Sequence, residues 1–258
     1  MSILDELAEH ARYRVSRAKE RKTAEQIREE AYILPKYDLF FEEALRKPGM
    51  SFICECKKAS PSKGIIADDF PYLDIAREYE DAGADALSVL TEPKWFLGSE
   101  YYLKQISENV CLPLLRKDFT VDEYMIYEAK LLGASAVLLI VAILDKEDIE
   151  KYLKICDELA LSALVECHDE AEIDTALSAG ARILGINNRN LKDFSVDTSL
   201  CGRLRDRVPK EICLVSESGI KERADVAALE SAGVDAVLVG ETLMRAFNKR
   251  EMLRSLRG

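Results

Sequence analysis

From Ser51 onward, short apolar runs rich in Val, Ile and Leu alternate with longer stretches in which apolar residues recur every three or four positions. Runs of the first kind, at 52–57, 86–90, 112–116, 136–140, 162–166, 183–186, 212–216 and 236–239, predict strands. The stretches 73–81, 122–132, 146–159, 169–178 and 221–231 predict helices between them. The unit of strand, polar loop and amphipathic helix returns about every 25 residues. Four of the helices close on a small-residue turn carrying Gly83, Gly133, Gly180 or Gly233. Glycine there supplies the left-handed residue that ends a helix.

Residues 1–48 follow a different pattern. Ile3, Leu4, Leu7, Ala8, Ala11 and Val15 share one helical face, with Arg12, Arg14 and Lys19 on the other. Thr23 and Gln26 form a capping-box pair that opens a second helix to about Ile33, ahead of Pro35, and a short apolar segment runs from Leu39 to Leu45. So short an extension buries little by itself and is expected to pack on the rest, so that 1–258 form one domain.

Eight strand–helix units in about 200 residues fit a closed parallel barrel, because parallel strands need crossover helices and closure leaves no open edge. The competing architecture, an open doubly wound sheet, normally carries a Gly-x-Gly-x-x-Gly phosphate loop after its first strand, and no such run occurs. The reading is therefore α/β, a (β/α)8 TIM barrel with an N-terminal helical extension.

Composition narrows the chemistry. A net charge of −11 argues against a nucleic-acid surface, which needs clustered Lys and Arg. An anionic small molecule would need a local basic site instead. The seven Cys fall mostly in predicted strands and helices, with no Cys-x-x-Cys pair, which fits a reducing cytoplasm and gives no metal-ligand spacing. The amphipathic N-terminus and the absence of a long apolar run point away from secretion and membranes.

The strand ends carry the candidate chemistry. In SFICECKKASPSKG, alternation puts Ile53, Glu55 and Lys57 on one side and Cys54 and Cys56 on the other, and Pro61 stops pairing just after Ser60. Strand 3 aligns Leu115, Lys117 and Phe119; strand 5 presents Glu166; strand 6 ends in Asn187 and Arg189. Strand 7 leads into Glu217, Ser218 and Gly219, and strand 8 into Val239, Gly240 and Glu241. A charged strand end singly means little, but in a barrel all of these meet at one mouth, where two Lys and several Glu imply acid–base work. Ser218-Gly219 and Gly240-Glu241 are expected to open helices whose N–H groups face an anion. Phe96 and Phe119 would wall a ring, whereas His168, ahead of the helix-capping Asp169, reads as structural or solvent-facing.

Taken together, ECKKASPSKG, LTEPKWFLGS, LLRKDF, LVECHDEAE, LGINNRNL, SESGI and VLVGETLM, in this order, resemble indole-3-glycerol-phosphate synthase of tryptophan biosynthesis over nearly the whole chain. The resemblance implies decarboxylation, dehydration and ring closure of 1-(2-carboxyphenylamino)-1-deoxyribulose 5-phosphate, with no metal or organic cofactor. It implies Lys117 as general acid, with Glu166 and Lys57 as further catalytic groups and Glu55 and Glu217 orienting the lysines. Asn187 would contact the reacting sugar chain, Ser60 and Arg189 would position substrate, and Phe96, Phe119, Leu138 and Leu191 would form the apolar wall. Ser218, Gly219, Val239, Gly240 and Glu241 would hold the phosphate, and other tryptophan-pathway enzymes are the expected partners. Cys56 and Cys167 stand where bulkier aliphatic residues are common in the family, which touches packing rather than mechanism. Two alternatives remain. A phosphoribosylanthranilate isomerase-like enzyme would want a Cys or Asp base and an Asp acid, and a non-catalytic phosphate-ligand binder has no need of two Lys and a Glu around one ring.

Overall fold

The computed structural model describes residues 2–190 and 193–258. Eight strands, β1 (Ser51–Cys56), β2 (Ala86–Leu90), β3 (Leu114–Lys117), β4 (Ala136–Ile140), β5 (Ser162–Cys167), β6 (Ile183–Asn187), β7 (Cys213–Glu217) and β8 (Ala236–Val239), pair in parallel in chain order, and β8 closes on β1. The expected barrel and its eight strands are all present. Three match the expected bounds, and the edges of the other five move by one or two residues. Pro113 has no N–H to give, and the third strand begins at Leu114 rather than 112.

Helices α4 (Tyr72–Ala82), α6 (Tyr124–Leu131), α7 (Lys146–Leu159), α8 (Glu170–Ser178) and α10 (Arg223–Ser231) lie where apolar periodicity put them. Three of them start one or two residues later than predicted, where an acidic side chain engages nearby N–H groups; at α8 this is the N-cap Asp169, which accepts from Glu172. Asp122 accepts from Tyr124, and Asp225 accepts from Lys221 and Glu222. Gly83, Gly133, Gly180 and Gly233 all have positive φ, as their turns require. Shorter helices, α5 (Glu100–Ser107), α9 (Leu200–Leu204), α11 (Glu241–Arg245) and α12 (Lys249–Arg257), complete the outer layer.

Alternation along each strand splits the core in two. Cys54, Cys56, Val165 and Cys167 face the helices in the outer layer, while Ile53, Leu115, Leu164, Val215 and Leu238 fill the barrel. Cys56 and Cys167 thus face outward, as their register predicts.

The N-terminal helices α1 (Ile3–Lys19), α2 (Ala24–Ile33) and α3 (Phe40–Leu45) clasp the barrel from top to floor. Capping boxes at Ser2 and Thr23 open α1 and α2. The apolar face of α1, through Leu4, Leu7 and Ala11, and that of α3, through Phe41 and Leu45, belong to the same apolar cluster as the barrel interior. At the floor Ser51 donates to Ala44 O at 3.2 Å, and Arg182 pairs with Glu42 at 3.0 Å. At the mouth Arg14 chelates Asp118 at 2.5 and 3.0 Å, and Lys19 reaches Asp122 at 2.7 Å.

Candidate active site

The strand register brings one lysine to the centre of the mouth. Lys117 ends β3, and its ammonium lies 3.4 Å from Glu166 at the end of β5 and 3.4 Å from Glu217 at the end of β7. Asn187 at the end of β6 stands beside Glu217 in the sheet and donates to Glu166 Oε1 at 3.2 Å. Ser218 donates to Asn187 Oδ1 at 2.9 Å, so the amide is held from both sides. Burial works against the Lys117 ammonium, yet Glu217, Glu166 and Glu55 together hold its pKa well above that of free lysine.

The two carboxylates diverge. Burial raises the pKa of Glu166, but the Lys117 and His168 charges and hydrogen bonds from Asn187 and Lys117 outweigh it and leave it below the usual range. For Glu217 burial wins: Lys117 pulls down, the like charges of Glu166 and Glu55 push up, and the group rises to about 7. A pair of carboxyls driven apart around one ammonium can hold a proton on one side and accept one on the other.

The second lysine lies at the adjoining edge. Lys57 pairs directly with Glu55, and Gly240 passes so close that a Cβ there would collide with Glu55 Oε2 and stand 2.8 Å from Lys57 Nζ. A side chain there would push both charged ends out of place. Gly219 is constrained likewise, at φ 90 with a notional Cβ 2.7 Å from Thr198, and Ser218 before it is also left-handed at φ 68. These two glycines line a polar corner roofed by Lys63 and Arg245, each paired with Glu241. One expectation needs correcting: α10 starts only at Arg223, after Asp225 has engaged the N–H groups of Lys221 and Glu222, so Ser218-Gly219 forms a turn rather than a helix N-terminus. Gly240 does cap α11.

Opposite this corner, Phe96 and Phe119 pack with ring centroids 6.1 Å apart, and Leu138 continues the wall. All of these groups, with Ser60 and Arg189, line one cavity of about 800 Å³. Leu191 lies outside the described residues. Among the described residues, no group of three or more His, Cys, Asp or Glu side chains is arranged to hold a metal.

Several contributors are absent from the expected set. Ile3, Leu4 and Leu7 of α1 line the cavity beside the aromatic wall. Their periodicity is plain in the sequence, but nothing local says which surface the face covers. Glu92, fully buried, accepts from the N–H groups of Lys94, Trp95 and Phe96 and so shapes the loop that carries the wall. Asp118, next to the central lysine, is tied to Arg14, Thr91 and Arg116. His168 stands against Glu166 rather than facing solvent alone.

A closed (β/α)8 barrel whose mouth joins paired Lys and Glu groups, an apolar wall and a glycine-lined polar corner defines the class: an acid–base enzyme for a small, ring-bearing phosphorylated substrate. The family profile described as indole-3-glycerol phosphate synthase matches residues 4–256, and the chain belongs to that family, carboxy-lyases of tryptophan biosynthesis. It is 52% identical over 257 residues to the indole-3-glycerol phosphate synthase of Ruminiclostridium cellulolyticum, covering 99% of both chains. It is 48% identical over 267 residues to that of Lachnoclostridium phytofermentans, covering 99% of this chain and 98% of the other. Among solved structures, a 3-hexulose-6-phosphate synthase aligns with a TM-score of 0.66 at 14% identity, over 81% of this chain and 98% of the other, a likeness of fold.

Proposed function

We propose that the mouth carries out the family reaction, closing 1-(2-carboxyphenylamino)-1-deoxyribulose 5-phosphate to indole-3-glycerol phosphate with loss of CO2 and water, with Lys117 as the principal acid. The observation that carries this reading is the Lys117 ammonium held between two buried carboxyls, with an apolar wall of aromatic rings beside it and a glycine-lined corner across from it. As the aromatic carbon attacks the ketone carbon, negative charge gathers on the ketone oxygen, and a proton from Lys117 stabilises it. The carboxylate then leaves as CO2, its bonding electrons restoring the ring.

Dehydration follows. Glu166, kept ionised, takes the amine-side proton, while an ammonium gives one to the departing hydroxyl. Lys57, between Glu55 and Gly240, supplies the second positive charge for the substrate's anionic groups and the leaving hydroxyl. Asn187 and Arg189 orient the sugar chain, with Arg189 fixed by Phe194 O at 3.1 Å and its N–H on Asn187 Oδ1. The phosphate sits at Ser218, Gly219, Gly240 and Glu241, where Lys63 and Arg245 already offset the Glu241 charge. Every proton in this sequence has a donor or acceptor among Lys117, Lys57 and Glu166, so no cofactor is called for. Seven free thiols support a reducing, cytoplasmic setting, with the other tryptophan-pathway enzymes as partners that supply the substrate and take the product.

The test is a steady-state assay following the indole fluorescence of the product. Lys117→Ala is expected to lower kcat by about a thousandfold with modest change in KM, while Gly219→Val mainly raises KM. Equal effects of both on KM alone would contradict this division of roles, and a folded, ligand-binding wild type without turnover would favour a binder.

A further inference from the structure

His168 is the residue after β5 and stands behind Glu166, outside the set that lines the cavity. Its ring spans two carboxylates. Nδ1 lies 3.1 Å from Glu172 Oε2, and Nε2 lies 3.4 Å from Glu166 Oε1. The clamp is reinforced by the backbone, since His168 N–H donates to the same Glu172 oxygen at 2.7 Å, while Glu172 N–H is held by the N-cap Asp169 at 2.9 Å. Nε2 is buried and makes no aligned hydrogen bond to any described residue, so Glu166 Oε1 is the charged group that its edge faces.

Both ring nitrogens therefore face acceptor groups. A neutral imidazole can donate from only one nitrogen, whereas the imidazolium donates from both. The charged groups around the ring are Glu166 on β5, Glu172 on α8 and, farther off, Glu217 on β7. The Val141–Ile143 turn that packs on β5 and α8 brings no charge. Lys117 lies on the other side of Glu166, against its Oε2.

We infer that His168 is a positioning residue for the reaction: as an imidazolium clamped by Glu172, it fixes Glu166 from behind and keeps that carboxylate ionised for its role as base. The inference rests on the reading of Glu166 given above. Glu166 thereby accepts from the Asn187 amide at Oε1 and the Lys117 ammonium at Oε2, and the His168 ring edge adds a charge 3.4 Å from Oε1. When Lys117 gives up its proton to substrate, its charge on Glu166 is lost for that moment. The His168 charge remains, so Glu166 does not retrieve a proton from the wrong side. Burial disfavours the charged ring, but Glu172, Glu166 and Glu217 outweigh it and raise its pKa above the ordinary value.

The experiment combines kinetics with titration. The chain has two histidines, His10 and His168, so two imidazole signals are followed by NMR against pH, with His168→Gln assigning them. In the wild type His168 is expected to titrate above the ordinary value, and Glu166→Gln or Glu172→Gln to bring it down. The ratio of kcat/KM at pH 5 to that at pH 7.5 should fall by about 1.5- to threefold in His168→Gln, as the acid limb moves up by roughly half to one pH unit, with KM little changed. A ring that only supported packing would lower both values alike. An inactive Glu166→Gln with an unmoved profile in His168→Gln overturns this inference alone. A Glu166→Gln enzyme with near wild-type turnover overturns the assignment of the base and this inference with it. Should His168→Gln not fold, Glu172→Gln decides, since an unshifted His168 titration and an unmoved profile there also overturn it.

Discussion

Glu166 and Glu217 flank the same ammonium with opposite outcomes, and the difference lies in their other neighbours. Glu166 accepts from Asn187 and faces His168, whereas Glu217 Oε1 is buried without a hydrogen bond. The consequence is a pH dependence of stability. Glu217 has a folded pKa of about 7 against an ordinary 4.5, so between these values the folded protein holds a proton that the unfolded chain has released. Stability then falls as pH rises through this window, by at most about 3 kcal/mol. Glu166, shifted down, acts in the opposite sense: its stabilisation is present above the ordinary carboxylate pKa and is lost as pH falls through its folded value. Glu217→Gln is expected to flatten the decline of Tm between pH 5 and 8. A decline as steep as that of the wild type would count against a protonated Glu217. Alternation along β3, β5 and β7 was enough to aim Lys117, Glu166 and Glu217 at one mouth. The identity of the carboxyl that stays protonated was not legible, because it is set by groups on other strands.

At the scale of elements, α1 is the piece whose role depends on where it docks. Arg116 is buried at the outer face of β3, against Glu100 at 2.8 Å and Glu128 at 2.7 Å. Together with Arg14 it brackets the buried Asp118, immediately beside Lys117, so the position of α1 and the end of β3 are linked by charge. Arg14→Ala leaves that carboxylate with one cation fewer. Because Arg14 is partly exposed, a cost of about 2 kcal/mol is expected rather than the larger loss seen when fully buried pairs are broken. Loosening α1 also loosens Leu4 and Leu7 over the ring wall, so KM should rise severalfold with kcat less affected. Urea unfolding and steady-state kinetics on the one variant check both, and unchanged values would mean that α1 docks through its apolar face alone. The helix itself was readable from its periodicity and its basic opposite face. Its destination was not, since an amphipathic face specifies that something is covered without saying what.

For the whole molecule, the shared apolar cluster of α1, α3 and the barrel interior predicts one cooperative unit. Trp95 is the only tryptophan, and it meets His10 of α1 edge-on with ring centroids 5.3 Å apart, so its fluorescence reports on the docking of the extension. Its thermal transition should coincide with loss of helix in far-ultraviolet circular dichroism. An earlier fluorescence transition would show α1 leaving a folded barrel. The sequence by itself determined the repeating strand–helix unit, the two faces of every strand and the convergence of polar strand ends, because these follow from local periodicity and from the geometry of parallel pairing. Its motif order also carried the family. Tertiary structure alone decided that α1 borders the mouth while α3 closes the floor, that Ser218-Gly219 is a turn, that His168 faces Glu166, and which carboxyl keeps its proton. These depend on groups far apart in the chain, such as Arg14 and Asp118, whose separation only the closed barrel sets.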